Sequence, residues 1–217
     1  MPHTSLARPQ RKPASRYHHG DLRRALLQEA VRTIARDGVE GLTLREVGSR
    51  LGVSRTALYR HFADKSALLA AVARDGFQRF TADLRAAWGE SGATRPGFER
   101  MGAAYVRFAV ANPSHYRVMF GDHRHLCERE PGLAAEAIGS FQVLVDAIVA
   151  LQRDGLMRND DPTVLAQFIW ASVHGIAMLA INGQLGPASG PHLDSIVQFA
   201  LKRLHTGIDV PAGARTR

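Results

Sequence analysis

At 217 residues with 45% hydrophobic content, the chain is long enough to bury a core of its own and too apolar to be disordered by composition. Its one cysteine, Cys127, excludes an intramolecular disulfide framework and a Cys-x-x-Cys zinc site, which suits a reducing compartment. The formal charge of +8 is uneven, with 13 Lys/Arg against 6 Asp/Glu in residues 1–70 and 15 against 14 in residues 71–217.

A polyanion-binding module joined to a near-neutral one has that charge profile, because phosphate neutralisation supplies most non-specific affinity for nucleic acid. A merely basic surface has it too. The N-terminal residues lack the apolar stretch of a secretory signal, and no run reaches the ~18 uninterrupted apolar residues of a membrane span, so a soluble, cytoplasmic protein is expected.

Residues 1–19, with Arg8, Arg11, Lys12 and Arg16 among prolines and no periodicity, read as a flexible basic arm. Over 21–36, Leu22, Leu26, Leu27, Ala30 and Ile34 recur at helical spacing, and Gly38 supplies a stop. Thr43-Leu44-Arg45-Glu46 has the form of a capping box, in which the Thr43 hydroxyl accepts from the Glu46 amide and the Glu46 carboxylate reaches back to the first unpaired N–H. This second helix turns Leu44, Val47 and Leu51 inward, Gly52 permits a sharp turn, and Ser54 caps a short third helix running to about His61.

Asp64 caps a longer fourth helix through Leu68, Val72, Phe80, Leu84 and Trp88, which ends in a Gly/Ser-rich stretch and is expected to join two domains. Further helices are expected over 97–111, 114–120, 131–152, 162–183 and 191–205, separated by Pro, Gly and Asn. No segment alternates as a strand and no repeat is visible. The fold class is therefore all-α, with a small N-terminal helix-turn-helix unit and a larger helical bundle. The expected borders are 20–63 for the helix-turn-helix unit, 64–88 for the connecting helix, 89–206 for the bundle and 207–217 for a disordered tail.

The stretch from Thr43 to Phe62 carries the candidate function. If its second helix enters a major groove, Ser54, Arg55 and Thr56 reach base edges or nearby phosphates, with Arg55 the first choice for a base contact. Tyr59, Arg60, His61 and Lys65 follow where that helix leaves the groove and offer hydroxyl and cationic donors to the backbone. Thr43, at the positive end of the second helix, and its neighbour Arg45 are candidates to hold a phosphate. A solvated helical pair whose basic residues only aid solubility is the plain alternative for such a pattern.

Gly52, Val53, Ser54, Arg55, Leu58, Tyr59, His61, Phe62, Lys65 and Leu68 together resemble the TetR-family signature, and Tyr17-His18-His19-Gly20-Asp21-Leu22 resembles the opening of many such regulators. The resemblance implies that Leu58 and Phe62 belong to the core of the small domain, and that Tyr59, His61 and Lys65 contact phosphates; His61 serves equally well as a packing residue. Trp170-Ala-Ser-Val-His174-Gly175 resembles the Trp-x-x-x-His-Gly signature of one subgroup of these regulators, and Tyr105-Val-Arg-Phe-Ala and Tyr116-Arg-Val-Met-Phe-Gly fit the same group.

Trp170, His174 and Met178 share a helix face, and Gly175 beside them lets another backbone approach, so that face is expected to be buried. The bland reading is packing with a hydrogen-bonded imidazole; the sharper one makes His174 a polar handle in a ligand pocket. Tyr105, Phe108, Tyr116, Met119, Phe120 and Phe141 are the other candidate pocket residues, suited to an apolar or amphipathic effector. By family resemblance the last two long helices pack on their two-fold mates, with Trp170, Ala177, Ala180, Ile196, Phe199 and Leu201 as contributors.

A homodimer suits a palindromic operator of double-stranded DNA. His123-Arg124-His125-Leu126-Cys127 matches no standard ligand spacing and reads as a polar loop, with a metal sensor as the minor alternative; no metal or cofactor is expected. The resulting expectation is a ligand-released transcriptional repressor rather than an enzyme. A ligand-independent architectural DNA-binding protein, an all-α enzyme built around His174 and an activator of the same family stand beside it, although neither a nucleophile motif nor a phosphate loop is visible.

Overall fold

The computed structural model describes residues 19–89, 93–121, 126–127 and 130–209; the basic arm to residue 18, His123, Arg124, His125 and residues 210–217 lie outside them. Among the described residues the elements are α1 (His19–Asp37), α2 (Leu44–Arg50), α3 (Arg55–Tyr59), α4 (Lys65–Gly89), α5 (Arg95–Ala111), α6 (Pro113–Phe120), α7 (Pro131–Arg153), α8 (Pro162–Ile181) and α9 (Pro191–Ile208).

Each start has a local cause. Thr43 and Ser54, both in extended backbone, accept from the amides of Glu46 and Ala57 at 3.2 Å. Asp64 accepts from Ala67 at 2.8 Å, Thr94 from Gly97 at 3.1 Å, and Asp161 from Thr163 and Val164 at 2.8 and 2.9 Å. Such bonds satisfy amides that have no partner within the first turn. A proline stands in the first turn of α5, α6, α7 and α8, where its missing N–H costs nothing.

The cap at Thr94 starts α5 two residues before the expected position 97, because the cap and Pro96 both precede that point. Only half of the capping box at Thr43 forms. The Glu46 carboxylate accepts from Arg36 at 2.7 Å and Arg50 at 3.1 Å, which ties α2 to α1 instead of returning to the helix start. At the far end, α9 continues through Gly207 and Ile208, residues the sequence reading placed in the tail. Arg158 N–H donates to the Ile208 carbonyl at 2.9 Å, and Asp209 pairs with Arg95 at 3.0 Å.

Leu26, Ala30 and Ile34 of α1, Val47 of α2, Leu58 of α3 and Leu68 and Val72 of α4 are all buried and close the small N-terminal core. A Cβ on Gly48 would lie 2.8 Å from Leu58 Cδ1, so α2 and α3 meet at that glycine. Gly52 sits between them at φ +64°, a conformation that costs a glycine little and other residues more. Downstream, α4 packs against α5, α6 and α7, α5 against α8 and α9, and the short α6 against both α1 and α4. A Cβ on Gly76 of α4 would lie 2.5 Å from Met119 Sδ and 3.2 Å from His115 Cβ, marking a tight α4–α6 crossing.

The segment Gly132–Arg153 of α7 (mean hydropathy 1.6) and α8 (1.8) are long and apolar enough to cross a membrane by length and composition, although polar residues interrupt both. Both pack within the bundle, α7 on α4 and α8 and α8 on α5, α7 and α9.

Candidate functional site

Two groups of the expected residues come together, one ahead of the start of α4 and one beside its middle. At the N-terminal end, Ser54, Arg55, Thr56, Tyr59 and Arg60 are exposed around α3 while Leu58 and Phe62 anchor it from beneath. Tyr59 is 48% exposed, and the Arg55 guanidinium lies 5.9 Å from its ring centroid. On α2, Thr43 and Arg45 are exposed and share a shallow depression of ≈ 370 Å³ with Glu46, Ser49 and Arg50. His61 and Lys65 are half-buried, and the Lys65 ammonium donates to the Glu40 carbonyl at 3.1 Å. Lys65 thus ties the start of α4 to the α1–α2 loop.

Beside Phe80 in the middle part of α4, Tyr105 of α5, Tyr116 of α6 and Trp170 and His174 of α8 share one polar knot. The Tyr116 hydroxyl lies 2.8 Å from the Tyr105 hydroxyl and 2.7 Å from His174 Nδ1, Tyr105 lies 3.2 Å from the same Nδ1, and Trp170 Nε1–H donates to Tyr105 at 3.0 Å. Hydroxyl protons rotate, so their directions follow from counting donors and acceptors. With the Tyr116 hydroxyl donating to Tyr105, one arrangement uses every proton: Trp170 and Tyr116 both donate to Tyr105, and Tyr105 donates to Nδ1 of a neutral His174. The His174 Nε2–H then has no partner among the described residues.

Burial raises the phenol pKa of both tyrosines and lowers that of His174, so all three stay uncharged near neutrality. Rings surround the knot. Phe120 stacks edge or tilt against Phe77, Phe80, Tyr105, Tyr116, Trp170 and His174, with centroids 4.7 to 6.4 Å apart, and Phe141 meets Trp170 at 6.0 Å. Phe108 joins through Phe80 at 5.1 Å.

Met119 faces Gly76 of α4, and Met178 is half-buried beside the core. Phe77 and Phe80 were missed as cluster members, although Phe80 was already legible as an inward position of α4. A further joint was not foreseen at all: buried His115 of α6 meets Asp75 of α4 at 3.1 Å, and Arg79 reaches the same carboxylate at 2.8 Å.

Burial also holds the His115 pKa below its ordinary 6.5, against the opposing pull of Asp75. Both imidazoles, one buried and one half-buried, therefore resist protonation in the folded chain but take up protons freely once unfolded. Stability is full above about 6.5 and falls as the pH drops below it, because the unfolded state then binds more protons. The melting temperature is expected to fall from pH 7 to pH 5, and to fall less steeply in the doubly substituted His115→Gln, His174→Gln protein. An unchanged slope in that variant would exclude these two groups as the source.

The outer face of α8 and α9 departs from expectation. Ala177, Ala180 and Leu201 are buried within the protomer, Leu201 against Gly102, and so cannot be surface contributors. Trp170 belongs to the aromatic cluster. Outward instead are Val164, Phe168 and Leu179 of α8 and Phe199 of α9, with Ile196 partly exposed and the Arg203 guanidinium 5.1 Å from the Phe199 ring centroid. Among the described residues, nothing beyond its chain neighbours and its own helix backbone comes within 4 Å of a Cβ placed on Gly175, so the close approach expected there is not made by them.

Residues 26–72 match the family described as bacterial regulatory proteins, tetR family, and residues 98–204 match the tetracyclin repressor-like C-terminal domain. The HTH-type transcriptional repressor AcnR of Corynebacterium diphtheriae is 30% identical over 169 residues, 74% of this chain and 82% of that protein. The chain belongs to the TetR family. The HTH-type transcriptional regulator RutR of Escherichia coli K12 is 29% identical over 168 residues, 73% of this chain and 74% of that one. A solved structure of a protein of unknown function from Rhodococcus sp. RHA1 is 36% identical with a TM-score of 0.79, covering 91% of this chain and 100% of that one. As a TetR-family member the chain is a DNA-binding transcriptional regulator and not an enzyme. The N-terminal match contains α2, α3 and all ten signature positions, and the C-terminal match contains the whole polar knot.

Proposed function

We propose that this TetR-family regulator is a cytoplasmic repressor that binds a palindromic operator as a homodimer and leaves it when a small molecule occupies the aromatic cluster. The observation that carries the reading is the arrangement along α4, which follows the exposed α3 after residues 60–64, packs on α1 and contributes Phe77 and Phe80 to the cluster farther along. In this reading Arg55, with Ser54 and Thr56, reads base edges, while Thr43, Arg45, Tyr59, Arg60 and His61 hold phosphates. Lys65 contributes by fixing the loop at Glu40 and by its charge.

The dimer rests on the outer face of α8 and α9, where Val164 and Phe199 are each 63% exposed. Such a patch is uncommon on a chain that stays alone in water, and the open backbone at Gly175 lets a second copy approach it. Two copies would set their recognition helices about one helical turn of DNA, ~34 Å, or a multiple apart. Effector binding lowers operator affinity only if it prefers the conformation that does not fit DNA, and α6, packed on α1 and α4 and carrying Tyr116 and Phe120, is placed to bias that choice.

Selection from random duplex DNA at a stated salt concentration, followed by sequencing, tests this. An enriched palindrome with half-sites at the expected spacing supports the homodimeric regulator. Uniform coating without an enriched sequence would favour the architectural reading.

A further inference from the structure

The aromatic cluster carries chemical information about what it accepts. Tyr105 and Tyr116 are buried beneath it, yet Phe120, Phe141, Trp170 and His174 are each only half-buried although each touches other rings. Those four keep part of their surface uncovered, and among the polar atoms of the knot the His174 Nε2–H is the one left over.

Among the described residues, charge is missing from the partners of this group. The rings and hydroxyls that touch His174 are Tyr105, Tyr116, Phe120 and Trp170, and the ring that extends the lining is Phe141. None is a lysine, arginine, aspartate or glutamate. Burial alone accounts for the depressed His174 pKa, with no charged group acting on it.

We propose that the part of the effector seated here is uncharged, an aromatic or alicyclic group bearing one hydrogen-bond acceptor, such as a ketone, that receives the His174 Nε2–H. The inference rests on the effector reading of the same cluster. A carboxylate in this place would be a buried charge without a partner, or would have to draw a proton onto His174, and either is costly. A cation would gain from the ring faces but would meet a donor where it needs an acceptor. A ketone meets neither obstacle, and its oxygen satisfies the one free N–H.

The test uses the full chain and a matched set of probes: 2-acetylnaphthalene, 2-naphthoate, 2-naphthylmethylammonium and naphthalene, with dissociation constants from calorimetry. The ketone is expected to bind at least tenfold more tightly than either ion and several-fold more tightly than naphthalene. In His174→Phe the margin over naphthalene should vanish. His174→Gln, whose amide can donate from a similar position, should retain it, and melting curves check that both variants fold.

An ion binding as tightly as the ketone, a margin that survives His174→Phe, or no binding by any probe would overturn the proposal. Operator binding by the same preparation separates the two ideas. Failure of the probes with the operator bound condemns the ligand class alone, whereas the lack of any preferred sequence condemns the regulatory reading.

Discussion

Replacing Arg55 by alanine is expected to weaken binding to the selected operator by about 30-fold to 10⁴-fold, while affinity for random duplex DNA falls much less. One well-placed arginine–base contact discriminates by about 1–3 kcal/mol, and a two-fold dimer carries the substitution in both half-sites, so the loss is about 2–6 kcal/mol. Arg55 can be removed without disturbing the fold. It is exposed at the first position of α3, and among the described residues its one partner is the exposed Tyr59 ring at 5.9 Å.

The pattern matters more than the size. If Arg55 touches only phosphate, specific and random DNA will lose affinity together and the slope of affinity against salt will become shallower. Binding curves on both DNAs at two salt concentrations distinguish the cases, and equal losses would remove Arg55 from the base-reading role.

The second large effect is on stability. Phe80→Ala is expected to cost about 3–5 kcal/mol, the usual price of emptying a large ring from a packed core. Phe80 is buried and packs against Tyr105 at 5.0 Å, Phe108 at 5.1 Å and Phe120 at 6.2 Å, joining α4 to α5 and α6 at one point. For a chain of this length that loss lowers the melting temperature by about 6–20 °C. Phe80→Leu, which refills much of the volume, should recover most of it. Melting curves of the two variants check the claim, and a shift of only a degree or two in Phe80→Ala would show that α4 and α5 are held together elsewhere.

Much of this fold is legible in the sequence because helix starts are local events. Thr43, Ser54 and Asp64 announce themselves as caps within three residues, and prolines mark the first turns of α6, α7 and α8. Partnerships across distance are not local, which is why Glu46 was expected to fold back on its own helix when Arg36, ten residues earlier, takes its carboxylate.

The same limit hid the meeting of Asp75 with His115. On α8, apolar side chains occupy most of the circumference, so no periodicity says which way Ala177, Ala180 or Phe168 points. The cluster was readable as a list of aromatic residues but not as an arrangement. That His174 takes a tyrosine hydroxyl on Nδ1 depends on three helices crossing at one place.

The eight residues of α6 hold partners on several sides at once: His115 to Asp75, Tyr116 to His174, Met119 against Gly76 and Phe120 against Phe77. An α-helix advances about 100° per residue, so one inserted or deleted residue between Pro113 and Phe120 would swing every later side chain away from its neighbour. Substitution can alter these contacts one at a time; a change of register alters all those beyond it together. Relatives of this chain should therefore vary in the chemistry of this segment while keeping its length, and place their insertions in the turns between 182 and 190, where the backbone is exposed and no such alignment is at stake.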